Sequence, residues 1–260
     1  MQKIKTIILK EWAEVFKKRL VLLTVMLLPL LFTAIPLGLM WATHGARGLA
    51  KEIPDEFRYL CPPEFGMVEC FQAYVLNQFM LMFMFAPLIV PVTIAAYSVV
   101  GEKTTRSLEP LLATPITTFE LLAGKNLAAA IPAVIASWIS FLIYVVGARA
   151  LVANPRVISS LFEPMWWLGQ LVVGPLFAIL SVNASMMVSS RVNEPHVAEQ
   201  LSAVVVLPLL LLFIGQGAGL IILNRRFVVT LALILAVVDA VMFYLTMRLF
   251  QRETILTRWR

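Results

Sequence analysis

Charge is what this chain has least of. Asp, Glu, Lys and Arg make up 14% of its 260 residues, where a soluble domain carries about 25%, so polar surface suffices only for loops and one short segment. Cysteine and histidine are almost missing: Cys61, Cys70, His44 and His196 are all there is. With His44 the only imidazole near the two cysteines, a zinc set is excluded. No G-x-x-x-x-G-K-[ST] run occurs, which excludes a phosphate-binding loop of that kind. Nor do a nucleophile, base and orienter stand together, or carboxylates pair on an apolar run, so hydrolytic chemistry within a membrane has no residues to work with, and His196 is assigned none. The two halves do not match by eye, which weighs against a secondary transporter built from internal repeats. An ion channel would need a polar pore ring that only oligomerisation could supply.

What is there in abundance is hydrocarbon. Hydrophobic residues are 60% of the chain, gathered into six runs at roughly 20–42, 76–100, 121–148, 166–190, 201–223 and 227–250. Each exceeds the roughly 20 residues that cross about 30 Å of lipid as a helix. The fold class is therefore an all-α membrane protein with six transmembrane helices. The net charge of +6 comes from the flanks of these runs, so it reads as membrane orientation and excludes nucleic acid as the implied partner. Fourteen of the 21 Lys and Arg residues fall on one side: six before the first run, then Lys103, Arg106, Lys125, Arg191, Arg248, Arg252, Arg258 and Arg260. Arg47, Lys51, Arg58, Arg149, Arg156, Arg225 and Arg226 fall on the other. The richer side is cytoplasmic, which puts both termini in the cytoplasm of a cell-membrane, multi-pass protein.

Residues 1–19 place Ile4, Ile8, Trp12 and Val15 on one helical face with Ile7 and Phe16 beside them, and Lys3, Lys10, Glu14, Lys17 and Lys18 elsewhere. This predicts an amphipathic interfacial helix, compatible with a plain positive flank. The first apolar run is longer than the 7–15 or so residues of a signal-peptide core and lacks a clear cleavage site. Residues 20–260 then form a single six-helix domain. Its outer loop, 43–75, contains Cys61 and Cys70 on the oxidising side, where a disulfide or two free thiols are the alternatives.

The cytoplasmic loop at 101–125 reads GEKTTRSLEPLLATPITTFELLAGK. Glu102, Lys103, Arg106 and Glu109 surround a short run with Leu108, Leu111 and Leu112 on one side, ended by Pro115. Thr117 and Glu120 stand three apart as a capping box for the third run. An amphipathic surface helix and an ordinary loop both fit this spacing. The order Ser107-Leu108-Glu109, Leu111-Leu112-Ala113-Thr114-Pro115-Ile116, Glu120-Leu121-Leu122 and Gly124-Lys125 resembles the loop after the second span of ABC-2 type permeases, with Pro110 as the one departure.

That resemblance implies a permease subunit of an ATP-binding-cassette exporter, forming the translocation path and pairing with a second copy or a close relative. Loop 101–125 would carry a coupling helix docking on a cytoplasmic ATPase subunit. ATP and Mg would then be held by that partner, with no cofactor or metal on this chain and no enzyme activity of its own. The N-terminal helix, the second inner loop with Arg191 and Glu194, and the basic tail also resemble that family.

Within the runs, Pro29, Pro36, Pro87, Pro91, Pro132, Pro175 and Pro208 free backbone carbonyls for neighbouring helices to satisfy. Met80, Met82 and Met84 are spread round their helix and read as packing or lipid contacts. Trp166 and Trp167 mark the outer interface. Gly215, Gly217 and Gly219 allow either a re-entrant break near Gln216 or a close helix interface. Asp239 is the one acid deep within a run, expected to pair with Asn183 or Gln170, the alternative being a cation or proton site at the centre of a secondary transporter or channel.

Overall fold

The computed structural model describes residues 2–17, 19–44, 66–104, 116–217 and 224–250. Helix is the only regular structure among them, as expected where hydrocarbon leaves the backbone no partner but itself. A first helix, Gln2–Val15, precedes six helices long and apolar enough to cross a membrane. These are span one, Arg19–His44; span two, Met67–Thr104; span three, Thr118–Leu151; span four, Pro155–Ser189; span five, Pro195–Gly217; and span six, Arg225–Leu249.

The spans are not equivalent. In span two 83% of the most apolar window is buried inside the bundle, against 28% in span one, 17% in span five and 22% in span six. Span two is the axis. Spans one, three and four pack round it, and span six packs on span four.

Two ends differ from the apolar runs for local reasons. Span three starts ahead of its run because the capping box closes: Thr117 Oγ1 accepts from the Glu120 N–H at 3.2 Å, and Glu120 Oε2 accepts from the Thr117 N–H at 3.0 Å. Span four starts at Pro155, where Asn154 Oδ1 accepts from the Arg156 N–H at 2.9 Å. It then tightens at Ser160–Phe162 and widens into a π turn at Gly169–Val173.

Three of the prolines, Pro87, Pro132 and Pro175, are answered by side chains from neighbouring helices. Pro87 has no N–H for the Phe83 carbonyl, which accepts from Ser137 Oγ at 3.2 Å instead. Pro132 leaves the Ala128 carbonyl free, and the Trp12 indole donates to it at 2.8 Å. Beside Pro175, the Gln170 carbonyl accepts from Trp138 Nε1 at 3.0 Å. Each of these three thereby costs its own helix a bond and gives a neighbour a docking point.

The core is aromatic toward one end of the bundle, where Phe83 meets Tyr144 at 5.0 Å and Phe141 at 6.0 Å. It is small and aliphatic toward the other, around Ala129, Ala130, Ala133 and Val182. Trp166 corrects one expectation: it is 4% exposed inside the aromatic core and is no surface anchor. Met80 and Met84 pack in the same core. Span five stays helical through Gln216 to Gly217, and a Cβ on Gly217 would stand 3.4 Å from the Tyr74 hydroxyl, which favours the close-interface reading there. Gly219 lies outside the described residues. Cys70 is buried at the start of span two, and no described cysteine is free; Cys61 lies outside the described residues.

Candidate functional site

The N-terminal helix faces inward with Ile7, Glu11 and Val15, one stripe at four-residue spacing. This differs from the face expected on hydrophobicity alone, because a charge sits in the middle of the buried stripe. Gly124 makes the docking possible: a Cβ there would lie 2.7 Å from Ile7 Cγ2 and 2.9 Å from Ile7 Cβ. With Ile7 over Gly124 and Trp12 on the Ala128 carbonyl, Glu11 is carried into the bundle.

There it meets Lys125, expected on the water side but 3% exposed. The Lys125 ammonium lies 2.7 Å from Glu11 Oε1 and 2.8 Å from Glu102 Oε2, and donates to Ser98 Oγ at 2.8 Å. Ser98 in turn donates to Glu11 Oε2 at 2.6 Å. Glu102 is 4% exposed in the last turn of span two, where the sequence suggested a surface residue, and its Oε1 lies 2.8 Å from Lys10 Nζ. Burial lowers the Lys10 pKa, but the Glu102 hydrogen bond and charge outweigh it and hold the group above its ordinary value. Two buried carboxylates are thus balanced, in one knot, by the buried Lys125 ammonium and by the partly exposed Lys10. Buried charges persist only when matched in this way.

The knot joins the two chain segments that flank residues 105–115. Glu102 and Lys103 precede residues 105–115, and Glu120 and Lys125 follow them. Lys3 lies 3.6 Å from Glu120, so the N-terminal helix reaches span two through Lys10 and Glu11 and span three at two levels. Arg106, Leu108, Glu109, Leu111 and Leu112 fall outside the described residues. Lys103 donates to the carbonyls of Ser190 and Val192 at 3.4 and 3.3 Å, tying the end of span two to the second loop. Arg191 and Glu194 are exposed in that loop, Glu194 at the start of Pro195–Ser202 without a side-chain cap bond.

Another face of span two looks at span five. Thr93 Oγ1 donates to Glu199 Oε1, and the Tyr97 hydroxyl stands 3.4 Å from His196 Nε2. A cavity of about 200 Å³ opens here, lined by Leu27, Leu28 and Leu31 of span one, Ile89, Val90 and Thr93 of span two, and Glu199. A second of about 90 Å³ adjoins it at Ile89 and continues between Phe32, Phe85, Leu209 and Phe213. The two follow one stripe of span two, Met82, Phe85, Ile89 and Thr93.

Asp239 faces inward from span six with Val228, Leu235 and Thr246. It is 6% exposed, and neither carboxylate oxygen has a hydrogen-bond partner among the described residues. The expected partners are engaged elsewhere: Asn183 Oδ1 accepts from Asn126 at 2.7 Å, and Gln170 Nε2 donates to Ser137 at 2.8 Å.

Sequence reasoning missed Glu11, Ser98, Thr93 and Glu199. Pairs four apart on span two, Ser98 with Glu102 and Thr93 with Tyr97, were the available signal.

In comparison with known proteins, a family model described as ABC-2 family transporter protein matches residues 5–248. No curated protein matches the chain.

Proposed function

The chain belongs to the ABC-2 family of transporter proteins, and from that premise we propose that it forms the translocation path of an exporter driven by a separate ATPase. As an ABC transporter permease subunit it spans the membrane. Our reading adds the partners: a cytoplasmic ATPase subunit holding ATP and Mg at the 101–125 loop, and a second copy or close relative completing the path. Both termini lie in the cytoplasm, by the distribution of Lys and Arg. The N-terminal helix lies along the membrane surface, with Leu9 exposed and Lys5 and Lys17 near the headgroups.

The observation that carries this reading is the buried knot of Glu11, Ser98, Glu102 and Lys125. A push on residues 105–115 by a soluble partner reaches Glu102 and Lys125 together, because Glu11 and Lys10 clamp both flanks to one rigid helix. Span two then carries the displacement to the bundle axis, and Lys103 passes it to the end of span four. A loop held at only one flank would yield without moving the helices.

Co-purification with ATPase subunits tests the proposal, repeated with Arg106, Glu109 and Glu120 substituted. We expect the wild-type chain to retain an ATPase and the substituted chain to lose it along with coupled nucleotide hydrolysis. Unchanged assembly and coupling would overturn the assignment. Asp239 favours a second reading, an ion path at span six with the loop only a connector. Asp239→Asn abolishing transport while coupling persists would select it.

A further inference from the structure

We propose that the groove between spans one, two and five is a binding site for an amphiphilic cation, with Glu199 as the counter-charge for its head and the aliphatic wall as the seat for its body. This rests on the transporter reading, and it adds the charge class of the cargo.

The argument begins with the other acids at this end of the bundle. Glu11 is matched by Lys125, Glu102 by Lys10 and Lys125, Glu14 by Lys10, and Glu120 by Lys3. Glu199 is half-buried, has no ion pair among the described residues, and takes one hydrogen bond from the neutral Thr93 hydroxyl. Glu194, exposed in the second loop, has no ion pair among the described residues either, but water surrounds it; Glu199 is the unmatched acid that is half-buried and lines a cavity.

The rest of the lining makes the exception chemically specific. Apart from Thr93 and Glu199 the walls are aliphatic or aromatic, with Ile89 joining the two chambers. An apolar body gains from leaving water along such walls. A carboxylate at one end rejects an anion, adds nothing for a neutral hydrocarbon, and attracts a cation more strongly than it would in open water. His196, beside Tyr97, is exposed, and the lining residues bring no lysine or arginine to compete. Leu27 and Leu31 are 49% and 44% exposed, so the groove is open along span one and admits a ligand from the side.

Benzyltrimethylammonium and neopentylbenzene have the same shape and differ by one charge, nitrogen against carbon. Their binding to the full chain in lipid nanodiscs, with partition into empty nanodiscs subtracted, tests the proposal. We expect the cation to bind about tenfold more tightly, a difference of about 1.4 kcal/mol. Glu199→Gln, which can still accept from Thr93, should bring the ratio to about one, and Glu199→Asp should keep the preference. Equal affinities in the wild type, which need no variant, would overturn the inference, as would a ratio unmoved by Glu199→Gln. ATPase co-purification of the wild-type chain is scored separately: its failure strikes the proposed coupling to an ATPase, and equal affinities strike this inference.

Discussion

Replacing Lys125 by Met keeps most of the side-chain volume and removes one charge from the bundle. The loss is unequal among its partners. Glu102 keeps Lys10 at 2.8 Å, but Glu11 keeps only the Ser98 hydroxyl at 2.6 Å and becomes a buried carboxylate without a cation. Removing one partner of a buried ion pair costs about 3–5 kcal/mol. For a chain of this size each kcal/mol moves the melting point by about 2–4 °C, so the drop should be on the order of 10 °C. Thermal unfolding of the purified chain in detergent measures it. The stranded charge makes a second demand: Glu11→Gln added to Lys125→Met should recover more than half of the loss, because an amide costs far less to bury than an ion. A single variant melting within about 1 °C of the wild type would refute the reasoning. So would a double variant no better than the single, since the cost would then lie in packing.

Gly124→Ala should displace the N-terminal helix, since its Cβ would fall within 2.9 Å of two Ile7 carbons; a lower melting point that Ile7→Ala partly restores is the expected readout. Trp12→Phe leaves the Ala128 carbonyl without its 2.8 Å donor, a loss of about 1–3 kcal/mol, and faster proteolysis of the first 15 or so residues should accompany it. Lys10 has a folded pKa raised above 10.5, so its contribution is complete below that pH and is lost as pH rises through the folded value; Lys10→Met should flatten the alkaline limb of a stability profile above pH 10.5. Asp239→Asn should stabilise the fold by about 1–2 kcal/mol and so raise the melting point by about 2–8 °C, because both carboxylate oxygens lack partners among the described residues; an unchanged or lower melting point would show that the carboxylate is satisfied.

Legibility followed distance along the chain. Six spans could be read because each announces itself within its own 20 or so residues, and the capping box because Thr117 and Glu120 are three apart. The proline carbonyls were legible as a need, while their donors were not: Trp12 meets Ala128 across 116 positions. The knot was hidden for the same reason, with Glu11 and Lys125 separated by 114 positions and Ser98 and Glu11 by 87. Hydrophobicity assigns a glutamate to the outside of a helix, and only a partner from another span reverses that. Trp166 went astray similarly, because an indole at a helix end looks like an interface anchor until it is found buried in the same core as Phe83, Phe141 and Tyr144.

Docking of the N-terminal helix also orders biosynthesis. Its residues leave the ribosome first, but Glu102, Gly124, Lys125 and the carbonyl freed by Pro132 emerge about a hundred residues later. Until the third hydrophobic stretch has been threaded into the bilayer, Glu11 has no cation and Ile7 no seat. A nascent chain stalled after its second crossing therefore carries a first helix whose carboxylate and apolar stripe are both still unmatched.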